Sequence, residues 1–249
     1  MLIRSEVSYV PKAGNTEEEY EDAFWPPVDL DQQLQTLKFA IADGATETSF
    51  ASVWARLLVK AYCSTKFNHR LKSGDLADLR LQWATAVSSE SLPWYAEEKL
   101  RFGAFSSLLG VTLHKRRDGS AGWRAIAVGD SCLFHIHNNR LTAAFPLDRS
   151  EAFNSRPVLL SSNRNYEELE SSNIATITGE LHVEDALYLM TDALACWFLT
   201  LVEAGKEPWK LKRTGLFERW IKSLREEKKI RNDDVTLVRI ECISDEHES

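Results

Sequence analysis

The run Lys38-Phe-Ala-Ile-Ala-Asp43-Gly44-Ala-Thr46 decides how the rest of the chain is interpreted. Phe39 and Ile41 alternate with small residues at the two-residue period of a strand, so the run predicts a buried strand. The strand ends on a carboxylate and a glycine, which suits either a tight turn or a site for a cation or phosphate. The motif alone favours the turn. The site becomes the better interpretation only if other strands bring carboxylates to the same place.

Several other carboxylates stand at the ends of predicted strands. Asp130 follows the strand that ends at Val128, and Asp192 follows the apolar run 186–190. The last strand begins on Asp233-Asp234, and the pair Glu21-Asp22 precedes the short apolar segment Ala-Phe-Trp. Two carboxylates about 4 Å apart repel by about 4 kcal/mol at an effective dielectric constant of 20, so a convergent group would need a cation. A set of oxygen ligands suits Mg²⁺ or Mn²⁺ better than Zn²⁺.

Composition excludes some classes of function. The 249 residues carry a net charge of −7, which leaves no basic excess for nucleic acid. The most apolar run, 187–202, is interrupted by Asp192 and is shorter than the ~20 residues of a bilayer span. The opening residues lack an apolar signal core, so we expect a cytoplasmic protein without a membrane partner. Without an internal repeat or flexible linker, residues 1–249 are expected to form a single domain.

Periodicity predicts the order of the elements. Residues 1–34 are expected to be loop-like around one strand, and residues 109–137 to form an antiparallel meander. The polar segment 142–172 is expected to be an irregular lid over a site. Five helices are predicted, at 50–62, 76–87, 93–100, 194–202 and 216–224.

The thiols and imidazoles give weaker signals. The four cysteines are scattered without a CxxC pair, which indicates buried free thiols rather than a zinc site. His135 and His137 share one face of a predicted strand. With no third ligand nearby in the sequence, an exposed strand face is favoured over a metal pair.

The order of the acidic motifs resembles the metal-dependent serine/threonine phosphatases of the 2C type over nearly the whole chain. The motifs are Glu21-Asp22-Ala, Asp43-Gly44, Gly103 with its following strand, Val128-Gly129-Asp130-Ser131, Thr191-Asp192 and Asp233-Asp234-Val-Thr. The resemblance implies an α/β (α+β) fold, a four-layer α/β/β/α sandwich with two central antiparallel sheets flanked by helices. It also implies a binuclear Mn²⁺ or Mg²⁺ centre at one end, with a third, weaker site.

The resemblance assigns roles to individual residues. It makes Asp43 the ligand that bridges two metals, with the Gly44 carbonyl on one of them. Asp192 and Asp233 complete the other and, with Asp43, form the catalytic set. The remaining metal-ligating positions are Asp22 and Glu21, directly or through water, Asp130 for the third metal, and Asp234 beside Asp233.

The chain departs from the family at two functional positions. The family usually has two more glycines after Asp-Gly, often with a histidine as general acid, whereas this chain has Ala45-Thr46-Glu47. The acid is therefore missing or replaced by Glu47 or a water. The family's phosphate-binding arginine precedes its Glu-Asp pair, where this chain is acidic. Lys12 is the expected substitute for substrate binding, and Arg4 is the second choice.

Four interpretations follow. The favoured one is a phosphomonoesterase for phosphoserine and phosphothreonine in proteins, a monomer with a cognate kinase as candidate partner, in which a metal-activated water attacks phosphorus. The second is a catalytically weak or inactive module that binds a phosphorylated or regulatory partner. The third is a phosphatase for a small metabolite, with segment 142–172 as its lid. In the last, the aspartates only turn the chain.

Overall fold

The structure is a computed structural model that describes residues 1–46, 50–64, 71, 73–88, 101–153, 156–166, 173–210 and 216–244. The strands are β1 (Leu2–Val10), β2 (Ala23–Trp25), β3 (Leu30–Gln33), β4 (Thr36–Ala42), β5 (Phe105–Ser106), β6 (Leu108–Lys115), β7 (Ala121–Val128), β8 (Cys132–His137), β9 (Arg140–Phe145), β10 (Leu160–Ser161), β11 (Ala175–Leu181), β12 (Ala186–Met190) and β13 (Val235–Ile243). The α-helices of the described residues are α1 (Ala51–Cys63), α2 (Ala77–Ser88), α3 (Asp192–Glu203) and α4 (Phe217–Glu226).

Two antiparallel sheets form the centre of the molecule. One has six strands in the order β3-β1-β13-β12-β8-β9, and the other has five in the order β11-β7-β6-β4-β2. A two-stranded ribbon joins β10 to β5. The central strand β13 is buried along most of its length, while the edge strand β11 alternates between half-buried and exposed residues. This difference reflects position, because an edge strand of the sandwich has one face in water.

Strand β4 shows how the quoted run positions the layers. Phe39 and Ile41 lie in the core between the two sheets. Ala40 and Ala42 point the other way, into the cluster that contains α1. Small side chains on this face let the helix approach the sheet closely. At the neighbouring Gly110, an added Cβ would lie 2.5 Å from the Tyr62 ring of α1, so only glycine fits there.

Helices cover the outer face of each sheet. The indole of Trp54 on α1 is fully buried, and its N–H donates to the Leu160 carbonyl at 2.8 Å. On the opposite side, Phe198 of α3 stacks on Phe134 of β8 with ring centroids 4.2 Å apart. Helix α4 buries Ile221 against the same cluster. The four-layer α/β/β/α sandwich with two antiparallel sheets is therefore confirmed.

Most of the predicted helices are found, while several strand predictions need correction. The helices at 50–62, 76–87, 194–202 and 216–224 are confirmed within a few residues; the one at 93–100 lies outside the described residues. The stretch 1–34 is wrong as a loop around one strand, because it contains β1, β2 and β3. The meander is also wrong beyond β7, since the chain changes sheets at 129–131 and β8 pairs with β12 and β9.

The interpretation of segment 142–172 changes in part. Its beginning extends β9 to Phe145, and its middle supplies β10. Residues 154–155 and 167–172 lie outside the described residues, and the lid remains a prediction. Within the described parts of the chain, no helix is long and apolar enough to cross a bilayer.

The thiols and imidazoles also differ from expectation. Cys132 and Cys242 are buried free thiols, whereas Cys63 and Cys196 are free but half-buried. The exposed strand face predicted for the histidines is wrong, because His135 is buried and hydrogen-bonded to a distant carboxylate, Asp185. The sequence could not reveal this third group, since it lies fifty positions farther along the chain.

Candidate metal centre

The ends of strands from both sheets meet at one cleft of about 500 Å³. Strand β4 leads to Asp43, and the crossover from β7 to β8 carries Asp130. Helix α3 begins with Asp192, and Asp233 precedes β13. These four carboxylates line the cleft together with Gly44, Ser107, Arg156 and Arg231. The sandwich therefore brings together the strand-end aspartates that the sequence singles out.

Asp22 lies against this group with its carboxylate buried. Its Oδ2 atom accepts a hydrogen bond from the hydroxyl of Thr236 at 2.6 Å. The Thr236 hydroxyl is in turn hydrogen-bonded to the phenol of Tyr20, and the Thr236 N–H donates to the hydroxyl of Thr191 at 3.0 Å. The Oδ1 atom of Asp22 is buried without a hydrogen-bond partner among the described residues. One oxygen of this carboxylate is therefore held in place, and the other is buried without a compensating partner in the described part of the chain.

Asp192 shows the same asymmetry. Its Oδ2 atom lies 2.5 Å from the guanidinium of Arg231, while its Oδ1 atom is buried and unpartnered within the described chain. Burial raises the pKa of Asp192, the Arg231 charge opposes this, and Asp233 raises it further. A buried carboxylate oxygen without a partner is costly. A cation would satisfy the oxygens of both Asp22 and Asp192.

Asp43 is fixed through its backbone. Its N–H donates to the hydroxyl of Ser107 at 3.0 Å, and the Ser107 N–H donates to the Asp43 carbonyl at 2.9 Å. Burial raises the pKa of Asp43 well above its usual value, and the charges of Asp22 and Asp192 raise it further. The backbone contacts leave the carboxyl group available to the cleft that it lines.

The pKa of Asp130 is raised, as is that of Asp192. Burial, followed by the charge of Asp192, raises its pKa to about 7, with Arg231 acting in the opposite direction. Burial also raises the pKa of Asp22 well above its usual value, and Asp234 and Asp192 add to this. The group as a whole therefore disfavours full ionisation in the absence of a cation.

Gly44 lets two segments of the site come together. A Cβ at this position would lie 2.7 Å from the Glu21 carbonyl oxygen, a contact with backbone that cannot move aside easily. The Glu21 side chain is half-buried, and burial raises the pKa of its carboxyl group while a hydrogen bond with Thr46 lowers it. Glycine is thus required where β4 leaves the sheet and meets the Glu21-Asp22 segment.

Asp234 is engaged in a different way from the other aspartates. Its Oδ1 atom accepts the backbone N–H of Lys12, and its Oδ2 atom accepts the backbone N–H of Glu21, both at 2.7 Å. These bonds tie the start of β13 to the loop between β1 and β2. Metal ligation by Asp234 stays a prediction, and its observed contacts are those of a brace.

The predicted phosphate-binding cations lie away from the cleft. The Lys12 side chain contributes to a neighbouring cleft of about 620 Å³, together with Arg225. Arg4 is exposed and pairs with Asp31 at 3.1 Å. The cations that line the aspartate cleft are Arg231 and Arg156.

The sequence signals for these arginines were weak. Arg231 stands two positions before Asp233, where a short polar turn gave no reason to single it out, and Arg156 lies in the segment interpreted as a lid. Glu47, one candidate for the general acid, is outside the described residues.

The architecture matches solved structures of phosphatases. The serine/threonine phosphatase PstP/Ppp of Mycobacterium tuberculosis superposes with a TM-score of 0.60 over 98% of this chain and 100% of that chain, at 14% sequence identity. The chain has the fold of the bacterial serine/threonine phosphatases. The resemblance drawn from the motifs is confirmed at the level of this fold.

Two further structures of this phosphatase fold support the same conclusion. The phosphatase Stp1 of Staphylococcus aureus superposes with a TM-score of 0.60 over 98% of this chain and 96% of that one, at 11% identity. The PstP catalytic domain in complex with two manganese ions gives 0.55 over 98% and 99%, at 16% identity. No family model and no curated protein sequence matches the chain.

Proposed function

We propose that this chain is a Mn²⁺- or Mg²⁺-dependent phosphatase that hydrolyses phosphoserine and phosphothreonine in proteins. The observation that carries the proposal is a pair of buried oxygens, on Asp22 and Asp192, that have no hydrogen-bond partner among the residues the structure describes, near a cleft lined by three further carboxylates. The PstP catalytic domain, which has the same fold, is described in complex with two manganese ions.

The donor set fits hard divalent cations. Asp43, Asp22, Asp192 and Asp233 would hold two ions, and Asp130 would hold a third, weaker one. All of these donors are carboxylate oxygens, which Mg²⁺ and Mn²⁺ prefer. Such ions, when bound, lower the pKa of water so that hydroxide is available near neutral pH for attack on phosphorus.

The protein's own residues orient this chemistry. The hydroxyl of Thr236 holds Asp22 through one oxygen, and the other oxygen has no hydrogen-bond partner among the described residues. Ser107 fixes the backbone of Asp43, so the carboxylate is placed by the sheet rather than by a loose loop. Supports of this kind around ligands set their direction and affinity.

Arg231 is our candidate for the phosphate-binding cation. It is half exposed at the cleft and is paired with Asp192. A guanidinium binds phosphate oxygens in a two-pronged geometry, so Arg231 can turn from the carboxylate to a substrate phosphate. That movement leaves Asp192 free to ligate. Arg156 lines the same cleft as a second positive group.

The contact between Arg231 and Asp192 also favours a second candidate function. A guanidinium on this carboxylate compensates part of the negative charge that a metal would otherwise neutralise. If the pairing persists, the chain is a catalytically weak module of the same fold that binds a phosphorylated partner through its arginines.

Hydrolysis of p-nitrophenyl phosphate with added Mn²⁺ tests the main proposal. This aryl leaving group needs little protonation, so the assay does not depend on the general acid. We expect Asp43→Asn and Asp192→Asn each to lower kcat/KM at least about 100-fold, since each removes a ligand rather than its support.

The matched control for these variants is Asp31→Asn, which changes an exposed aspartate on β3. It should keep the activity of the parent. Equal rates in the parent and the two cleft variants would overturn the enzymatic proposal, and calorimetric titration with phosphorylated peptides would then decide whether the protein binds them without cleaving them.

A further inference from the structure

A second group of metal-binding side chains lies at the other end of the six-stranded sheet. The carboxylate of Asp185, just before β12, is almost fully buried. Its Oδ1 atom is 2.6 Å from Nδ1 of His137, and its Oδ2 atom is 3.0 Å from Nε2 of His135. Both histidines belong to the neighbouring strand β8.

His182 brings a third imidazole to this carboxylate. Its ring is half exposed and lies 4.7 Å, centroid to centroid, from the ring of His137. Its Nδ1 atom is 3.6 Å from Asp185, and its Nε2 atom is 3.8 Å from Glu180, both longer than a hydrogen bond. The His182 backbone N–H donates to Oδ2 of Asp185 at 2.8 Å and brings the residue to this carboxylate, while its ring nitrogens are not hydrogen-bonded to Asp185 or Glu180.

We propose that His137, His182 and Asp185 bind one transition-metal ion of the zinc class. A ligand atom from each lies within 4.8 Å of the other two. Two imidazoles and a carboxylate are a common set for Zn²⁺ and its neighbours in the first transition row, and a poor one for Mg²⁺. Three protein ligands leave the fourth tetrahedral position open, and the exposure of His182 gives solvent access to it.

Supporting contacts hold two of the ligands in place. His135 is hydrogen-bonded to Asp185 on one side, and its Nδ1 atom is 3.1 Å from the hydroxyl of Thr142 on the other. The Asn138 side chain lies 2.8 Å from Nε2 of His137. Metal sites are typically surrounded by such partners, which fix the orientation of the imidazole and the carboxylate.

Only a small rearrangement is needed for binding. Ligand atoms about 2.0–2.1 Å from a tetrahedral zinc ion stand about 3.3 Å apart. The His137 and Asp185 atoms would separate by less than 1 Å from their present 2.6 Å. The ring proton now between them would move to Nε2 of His137 as the ion takes its place, and the Asn138 amide would turn its oxygen to accept it. His182, which is half exposed, can turn toward the ion.

The histidine site is separate from the aspartate cleft. Asp185 precedes strand β12 and Asp192 follows it, so the two residues are about 20 Å apart along the chain at ~3.3 Å per residue. Strand β8 likewise begins two residues after Asp130 of the cleft and ends at His137 of the histidine site. The two sites also differ in chemistry, because one is composed of carboxylates and the other contains imidazoles.

The test is calorimetric titration of the full chain with Zn²⁺, combined with NMR of the histidine ring signals. We expect a binding event that shifts the ring signals of His137 and His182. His182→Asn should weaken this event at least about tenfold, because one of three ligands is lost. Asp192→Asn, which disturbs only the aspartate cleft, should leave it intact.

His114→Asn is the matched control, since it removes a histidine that is not part of the group. It should bind zinc like the parent, and circular dichroism checks that each variant is folded. Parent-like zinc affinity in folded His182→Asn, or zinc binding that leaves the ring signals unchanged, would overturn the proposal. Neither result depends on whether the aspartate cleft is catalytic.

Discussion

Thr236 lies behind the candidate metal centre and determines which oxygen of Asp22 remains available. Its hydroxyl donates to Asp22 and is bonded to Tyr20, and its N–H is held by Thr191. When Asp22 is ionised, as a bound cation requires, this hydroxyl donates to a charged acceptor, an arrangement stronger than a neutral hydrogen bond. The side chain thus links the buried carboxylate to β13.

Removing the Thr236 hydroxyl should weaken both the folded state and metal binding. Thr236→Val keeps the shape of the side chain but removes the donor to Asp22. We expect a loss of about 1–3 kcal/mol in the free energy of unfolding at neutral pH. Mn²⁺ affinity should fall about tenfold, because an oriented ligand loses its support. Urea unfolding and calorimetry measure the two effects.

The control for Thr236→Val is Thr178→Val, the same change at an exposed position of edge strand β11. It should alter neither quantity appreciably. If Thr236→Val bound Mn²⁺ as tightly as the parent does, the proposed role of this hydroxyl would be wrong.

At this scale the sequence predicted the acidic residues but not their partners. Asp43, Asp130, Asp192 and Asp233 could be singled out because each marks the end of an apolar run. The pairing of Arg231 with Asp192 joins residues 39 positions apart, and no local pattern encodes it.

The Asp234 side chain joins the start of strand β13 to the loop before β2 and so fixes the position of that loop. Asp234 accepts one backbone N–H with each oxygen, from Lys12 and from Glu21. A carboxylate can accept two such bonds, whereas an amide offers one oxygen and an NH₂ group that cannot accept. This position therefore requires an acid in this chain.

Asp234→Asn should release one of the two amides. We expect hydrogen exchange at Lys12 or Glu21 to accelerate about tenfold or more, since a lost hydrogen bond to a charged group is worth about 1.5–3 kcal/mol. Amide exchange followed by NMR reports on each position separately.

Asp29→Asn is the comparison variant, because among the described residues Asp29 accepts one N–H, from Val7 at 2.9 Å, with a single oxygen. Its asparagine keeps an acceptor, and Val7 should remain protected. Unchanged protection at both Lys12 and Glu21 in Asp234→Asn would contradict the bracing role.

Long elements could be predicted because their apolar periodicity repeats several times, and short strands could not. Helix α1 shows a continuous apolar stripe over thirteen residues. Strands β2 and β3 have three and four residues, too few to display alternation, and they form because longer neighbours pair with them. Alternation also says nothing about partners, so the crossing from β7 to β8 between sheets was missed.

At the scale of the whole molecule, the ends of two sheets meet at a group of carboxylates whose like charges repel one another. The pKa of Asp130 is raised from 3.8 to about 7, and those of Asp22 and Asp43 are raised as well, chiefly by burial. At pH values between the unfolded and the folded pKa of these groups, the folded protein binds more protons than the unfolded chain. Its stability without metal should therefore fall as the pH rises through the window between about 4 and 7.

Urea unfolding in EDTA at about pH 5 and about pH 8 measures this trend. Asp185 does not contribute to this pH dependence. Its pKa in the folded protein is lowered, so its contribution to stability is already complete at every pH above its pKa in the unfolded chain. Asp130→Asn should show a shallower decline than the parent. Saturating Mn²⁺ should reverse the trend by stabilising the ionised carboxylates, by about 2.7 kcal/mol at 100 times Kd. Stability in EDTA that rises with pH would contradict this electrostatic description.

The four-layer fold was predicted from the order of the six short motifs, which resembles that of the 2C-type phosphatases. The histidine group at the opposite end was missed for the same reason that Arg231 was. His137 and Asp185 are 48 positions apart, and only the pairing of β8 with β12 brings them together.

The most direct test of the central claim is anomalous diffraction from crystals soaked in Mn²⁺. We predict two strong manganese peaks on either side of Asp43, one or both contacted by Asp22, Asp192 and Asp233, and a weaker third peak at Asp130. Arg231 should have turned away from Asp192. A cleft without manganese, in crystals that diffract well and with the Arg231 pairing intact, would contradict the account.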